Sequence, residues 1–173
     1  MQLLLAFLRD ALNPPPWETP ETGIVADRFT NVGTWLNDFS HSFNESRAMT
    51  QMLQTSGGRV AYETFGVGGT PIVAVPGIGD TRASYRALAP MLVQAGYTVY
   101  AMDLRGHGGS DTSFGSYTSE NIGNDVVALL DALDLRDAVL IGNSVGAAAI
   151  VHASLVSDRA ARCGRWGVGR GRR

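Results

Sequence analysis

Residues 138–148 read A-V-L-I-G-N-S-V-G-A-A, and the reading of this stretch decides how the rest of the chain is understood. Ser144 stands at the centre of a G-x-S-x-G pentapeptide from Gly142 to Gly146, directly after a short apolar run and directly before small residues suited to a helix. The context weighs more than the pentapeptide: three fixed positions in five recur by chance, whereas a strand before and a helix after them rarely do.

The glycines follow from the geometry that such a turn needs. A serine lifted out of a sheet at positive φ is strained by about 1–3 kcal/mol, and the chain beside it must pass without side chains, hence Gly142 and Gly146. The Val145 N–H, at the start of the following helix, is expected to face the point where a substrate oxyanion develops, with the helix dipole behind it.

Working outward, Arg59–Phe65 alternates like a half-exposed strand, and Pro71–Val75 is a continuous apolar run suited to a strand buried on both faces. The run ends in Pro76-Gly77-Ile78-Gly79, a loop able to bring backbone N–H groups to a ligand and the natural second half of an oxyanion hole. Residues 82–95 read as one helix with Tyr85, Leu88 and Leu92 on one face and Gly96 as its stop, although Pro90 argues against its continuity. Tyr97–Met102 is a further apolar strand, followed by the glycine-rich loop Asp103–Asp111. A second helix over 118–133 places Ile122, Val126, Leu129 and Leu133 on one stripe, with Asp125 and Asp131 off it.

Strands alternating with helices predict an α/β fold, a mostly parallel sheet with helices on both faces and right-handed crossovers. Ligands in such sheets bind beyond the carboxyl ends of the strands, and Gly77, Asp103 and Ser144 all follow strands at that edge.

From Arg59 to about Arg159 the chain resembles the first half of an α/β-hydrolase fold protein. The resemblance rests on P-G-I-G at 76–79, where many relatives have H-G-x-G, on D-L-R-G-H-G-G-S-D at 103–111, and on G-N-S-V-G at 142–146. It implies Ser144 as nucleophile and the backbone N–H groups of Ile78 and Val145 as oxyanion hole. It implies an esterase-like activity or, from Asn143 beside the nucleophile, cleavage of diketone carbon–carbon bonds. A serine where other relatives carry aspartate argues against haloalkane dehalogenase and epoxide hydrolase chemistry. In the family the 103–111 loop is mainly architectural, so Asp103, Arg105 and His107 are expected to be structural despite their charge.

A serine hydroxyl needs a base, usually a histidine oriented by a carboxylate, and in this fold both follow the serine. After Ser144 only His152 and Asp158 remain, and His152 would lie about 12 Å along the elbow helix, out of reach. The strands after the nucleophile elbow are expected to be missing, which would leave the Ser144 strand as an unprotected edge and a route to self-association. The expectation is an incomplete α/β-hydrolase fold, itself nearly inactive, from a parent that cleaves a small carbonyl substrate. The alternatives are a non-catalytic binding or signalling module of the same fold and a fragment completed by a partner chain.

The 173 residues carry 14 basic and 16 acidic side chains, all the basic ones arginine. Five of those arginines (Arg162, Arg165, Arg170, Arg172, Arg173) follow Ala160 with no acid among them, so the preceding chain carries −7. Residues 160–173 are therefore read as a tail from a shifted reading frame, in preference to an arginine-rich arm for nucleic acid, which would have only Trp166 for stacking. Residues 1–50 form a poorly patterned extension, with a short helix around Trp35, Phe39 and Phe43 and no role for His41, and 51–159 form the partial domain. The apolar run Leu3–Leu12 is too short to span a bilayer, and the single Cys163 excludes an internal disulfide and is too little for a metal centre. The glycine clusters match neither a dinucleotide fingerprint nor a P-loop, so no cofactor, nucleic acid or membrane partner is expected, and the location is read as cytoplasmic.

Overall fold

The computed structural model describes residues 49–166. The chain divides into two units, Met1–Arg47 and Ala48–Arg173, and the described residues all belong to the second. The expectations for residues 1–48, including the helix around Trp35 and the absence of a role for His41, lie outside the described residues, as do the last seven residues of the tail.

Six strands and three α-helices are found among the described residues. The strands are β1 (Gln51–Thr55), β2 (Gly58–Phe65), β3 (Thr70–Val75), β4 (Tyr97–Met102), β5 (Ala138–Asn143) and β6 (Ala160–Trp166). The helices are α1 (Ala89–Gln94), α2 (Ser119–Ala132) and α3 (Val145–Val156), with a 3-10 turn at Arg82–Tyr85. The strands form one sheet in the order β1-β2-β4-β3-β5-β6. The β1–β2 and β2–β4 pairs are antiparallel, and the β4–β3, β3–β5 and β5–β6 pairs are parallel.

The chain moves one place across the sheet from β3 to β4 and then two places back to β5. Keeping both crossovers right-handed puts their helices on opposite faces. Val73 and Val75 of β3 accordingly join the core under α2 and α3, with Val126, Leu129, Leu130 and Ile150. Ile72 and Ala74 point the other way and are equally buried, on the face where α1 packs against β4 and β2. Burial on both faces is why β3 reads as an unbroken apolar run.

Four expectations need correction. β1 was not anticipated: it is an edge strand whose inward residues are only Leu53 and Thr55, and the exposed Met52 beside Leu53 blurs the alternation. β2 is not half-exposed, because it lies inside the sheet between β1 and β4, and Val60–Glu63 are all buried. The single helix over 82–95 is two pieces, with Pro90 in the first turn of α1, where its missing N–H leaves no intrahelical bond unmade. Asp125 is buried in α2, paired with Arg105.

A fifth correction lies at the far edge of the sheet. One strand does follow the elbow helix: β6 runs parallel to β5 from Ala138↔Ala160 to Asn143↔Trp166, with a register irregularity between Ala138 and Val139. β5 is therefore not the open edge that its sequence context implied; β6 is the outermost strand on that side.

Candidate active site

β3 hands the chain to β4 on one side of the sheet and β5 hands it to β6 on the other, so their carboxyl ends border the crevice where the connections diverge. Val75 pairs with Gly142 at that end, and the loop after β3 and the turn after β5 emerge side by side. Sheet order alone thus brings residues 76–79 to Ser144.

Ser144 occupies the N-cap position of α3 at φ 53° and ψ −120°. An N-cap serine usually turns its hydroxyl back onto the first helical N–H groups. Ser144 makes no such cap bond, so its side chain is not committed to the helix. Its carbonyl instead accepts from Ala147 and Ala148 at 3.0 and 3.3 Å. The Val145 N–H, one residue into the helix, belongs to the first turn, where donors have no intrahelical acceptor and the dipole is positive.

Two close approaches explain the flanking glycines. A Cβ on Gly146 would lie 2.5 Å from the Pro76 carbonyl oxygen, and one on Gly142 would lie 2.6 Å from the Gly146 carbonyl oxygen. Gly77 presses on Ser144 itself, its Cβ position being 3.2 Å from the Ser144 Cβ and 3.4 Å from Asn143 Nδ2.

The loop facing Ser144 is a four-residue turn closed by the Asp80 N–H to the Gly77 carbonyl at 3.1 Å, with Gly79 at φ 79° as a type II turn requires. Ile78 at the corner is exposed. Side chains from elsewhere hold both ends of the loop. The Tyr85 hydroxyl donates to the Val75 carbonyl at 2.8 Å, and burial pushes its phenol pKa far up, with the Asp80 charge adding to the shift. On the far side, Asp103 accepts from the Arg82 N–H at 2.7 Å and from the Gly109 N–H at 2.8 Å, and it pairs with the Arg82 guanidinium. Arg82 also reaches the buried Glu63 at 3.0 Å.

Arg105 is buried and fully engaged. Its Nε and Nη2 each bond a different Asp125 oxygen at 2.8 Å, Nη1 and Nη2 donate to the Ser116 and Asn121 carbonyls, and the guanidinium stacks 4.6 Å above Phe114. His107 accepts from the Gly79 N–H through Nε2 at 3.2 Å and lies 3.1 Å from the Arg105 carbonyl through Nδ1. The 103–111 loop is thus a brace between β4, α2 and the loop after β3. Sequence reasoning missed the Arg105–Asp125 pair, whose one available signal was an acid one residue before Val126 on the apolar stripe.

The structure brings Ser144, Val145, Gly142 and Gly146 together with the Gly77–Ile78 segment, and it engages the two described histidines with other partners than Ser144. His152 bonds Asn124 of α2 through Nε2 at 3.1 Å, and Asp158 lies in the turn beyond the far end of α3. Among the described residues no histidine or carboxylate is hydrogen-bonded to Ser144.

Residues 70–163 match the alpha/beta hydrolase fold family, and the chain belongs to it. Over 115 residues it is 34% identical to Epoxide hydrolase A of Mycobacterium tuberculosis, a match covering 64% of this chain and 36% of that protein. It is 36% identical over 85 residues to 3-oxoadipate enol-lactonase 2 of Acinetobacter baylyi, covering 49% of this chain and 32% of the relative. A bromoperoxidase structure from Bacillus anthracis superposes with a TM-score of 0.62 at 28% identity, over 68% of this chain and 44% of that one. The chain spans about a third of the length of these curated relatives. Among the described residues no helix is long and apolar enough to cross a membrane.

Proposed function

We propose that Ser144 is the nucleophile of a hydrolase acting on a small ester-like or other carbonyl substrate through an acyl-enzyme, with the Ile78 and Val145 N–H groups receiving the oxyanion. The observation that supports this most directly is Ser144 itself, held at φ 53° between β5 and α3 with its hydroxyl free of the helix cap. Backbone strain of this kind at a non-glycine residue persists where surrounding structure enforces it, and such sites are characteristically functional.

Serine chemistry also separates this reading from the names of some relatives. Attack of a serine oxygen on an epoxide carbon gives an ether, which water does not cleave, whereas attack on a carbonyl carbon gives a hydrolysable ester. On this reading the described residues contribute nucleophile and oxyanion donors while neither described histidine is bonded to Ser144, so the 173-residue chain is expected to turn over esters hardly faster than its Ser144→Ala variant.

The test is a chimera in which residues 49–159 replace the equivalent part of the Bacillus anthracis bromoperoxidase, whose remaining chain would supply the base. Hydrolysis of p-nitrophenyl acetate that disappears in Ser144→Ala supports the reading. A folded chimera whose ester hydrolysis survives that substitution refutes it, and so does rapid turnover by the isolated chain that survives it.

A further inference from the structure

His107 lies outside the elbow, yet its two ring nitrogens are both engaged, and their partners dictate its form. The Gly79 N–H can only donate, so Nε2 must be an unprotonated acceptor; the Arg105 carbonyl can only accept, so Nδ1 must carry the proton. The imidazole is thereby defined as the neutral Nδ1–H tautomer.

That acceptor meets the loop at the one peptide whose orientation is easiest to reverse. Type I and type II turns differ by a flip of the central peptide, here the unit joining Ile78 to Gly79. Gly79 tolerates either hand of φ and the space where its Cβ would stand is open, so the backbone sterics of this residue do not oppose the flip. The Gly79 N–H belongs to this peptide, and His107 Nε2 is its hydrogen-bond partner.

We propose that His107 is a positioning residue for the Gly77–Gly79 loop: its Nε2 lone pair holds the Ile78–Gly79 peptide in the type II orientation and so keeps the Ile78 carbonyl and the Gly79 N–H of the loop beside Ser144 in one arrangement. It acts through the loop and touches no reacting atom. The consequence for an oxyanion rests on the proposed serine chemistry, whereas the tautomer and the peptide orientation do not. The Arg105 carbonyl makes the ring direction independent of solvent, and Arg105 is itself anchored by Asp125, so the brace runs from α2 through Arg105 and His107 to the loop.

Two measurements on the full 173-residue chain test this. Nitrogen-15 spectra of the His107 ring are expected to show a protonated Nδ1 and a bare Nε2; a protonated Nε2 overturns the proposal. Hydrogen exchange of the Gly79 amide is expected to be at least tenfold faster in His107→Phe and His107→Asn, the latter too short to reach, with β3 and β5 amides unchanged. His107→Gln, whose Oε1 can stand in for Nε2, is expected to restore protection. Equal Gly79 exchange in all three variants overturns the proposal, and the wild-type spectrum decides the tautomer even if His107→Phe does not fold.

Discussion

A methyl group on Gly77 would sit 3.2 Å from the Cβ of Ser144, so the loop after β3 and the turn after β5 meet with no side chain between them. Residues 67 positions apart in the chain share one van der Waals contact surface because β3 and β5 are neighbours in the sheet. Gly77→Ala must push the loop or the serine by a few tenths of an ångström. In the chimera it is expected to lower p-nitrophenyl acetate turnover by about 10- to 100-fold, as misplacement of reacting groups does, while the melting temperature moves by only a few degrees.

Ser144→Gly is expected to raise stability. The φ and ψ of Ser144 suit glycine, so relief of about 1–3 kcal/mol of strain outweighs about 0.5–1 kcal/mol of added chain entropy. A net gain of about 1 kcal/mol corresponds to about 4 °C in a domain of this size, readable by thermal melting. Ser144→Ala keeps the Cβ and is expected to show no such gain.

Gly146→Ala and Gly115→Ala offer a matched pair. A Cβ at 146 meets the Pro76 carbonyl at 2.5 Å, whereas at 115 it meets nothing within 4 Å. Urea denaturation is expected to show Gly146→Ala less stable by about 1–3 kcal/mol or more and Gly115→Ala within about 0.5 kcal/mol of wild type.

Asp125→Asn leaves the buried Arg105 guanidinium without its counter-charge. A loss of about 3–5 kcal/mol is expected by urea denaturation, a large share of a typical domain's stability. Replacing both partners together, with Arg105→Met and Asp125→Leu, is expected to recover most of it, because the cost lies in the orphaned charge.

Stability should fall at alkaline pH through Tyr85. Burial raises its pKa above the ordinary 10.0. A group whose folded pKa is raised favours the protonated form on folding, so its contribution is complete below pH 10 and is lost as pH rises above it. The chain has no lysine, so tyrosines dominate titration in that range. Melting temperatures at pH 9 and 11 are expected to differ less in Tyr85→Phe than in wild type, and at pH 7 that variant is expected to be about 1 kcal/mol less stable for want of the bond to Val75.

The strand-to-helix elbow was legible because its determinants lie within a few residues: apolar Ala138–Ile141, glycines where the backbone closes on itself, and small residues opening a helix. The same holds for β3 and β4, whose unbroken apolar runs report burial on both faces. β1 escaped notice for the opposite reason, since an edge strand with two inward residues leaves little pattern. Asp125 was misread because helical periodicity records polarity and not partners; a buried acid opposite a buried arginine looks from the sequence like a solvated one.

The sequence alone thus determined the strand-to-helix turn at Ser144 and the mostly parallel α/β class, both products of local conformation and periodicity. Only the tertiary structure decided that Gly77 abuts Ser144, that His107 holds the Gly79 peptide, that His152 is turned to Asn124, and that β6 lies beside β5. Each of these joins groups separated in the chain, and such contacts depend on strand order and helix crossings, which no short stretch of residues encodes.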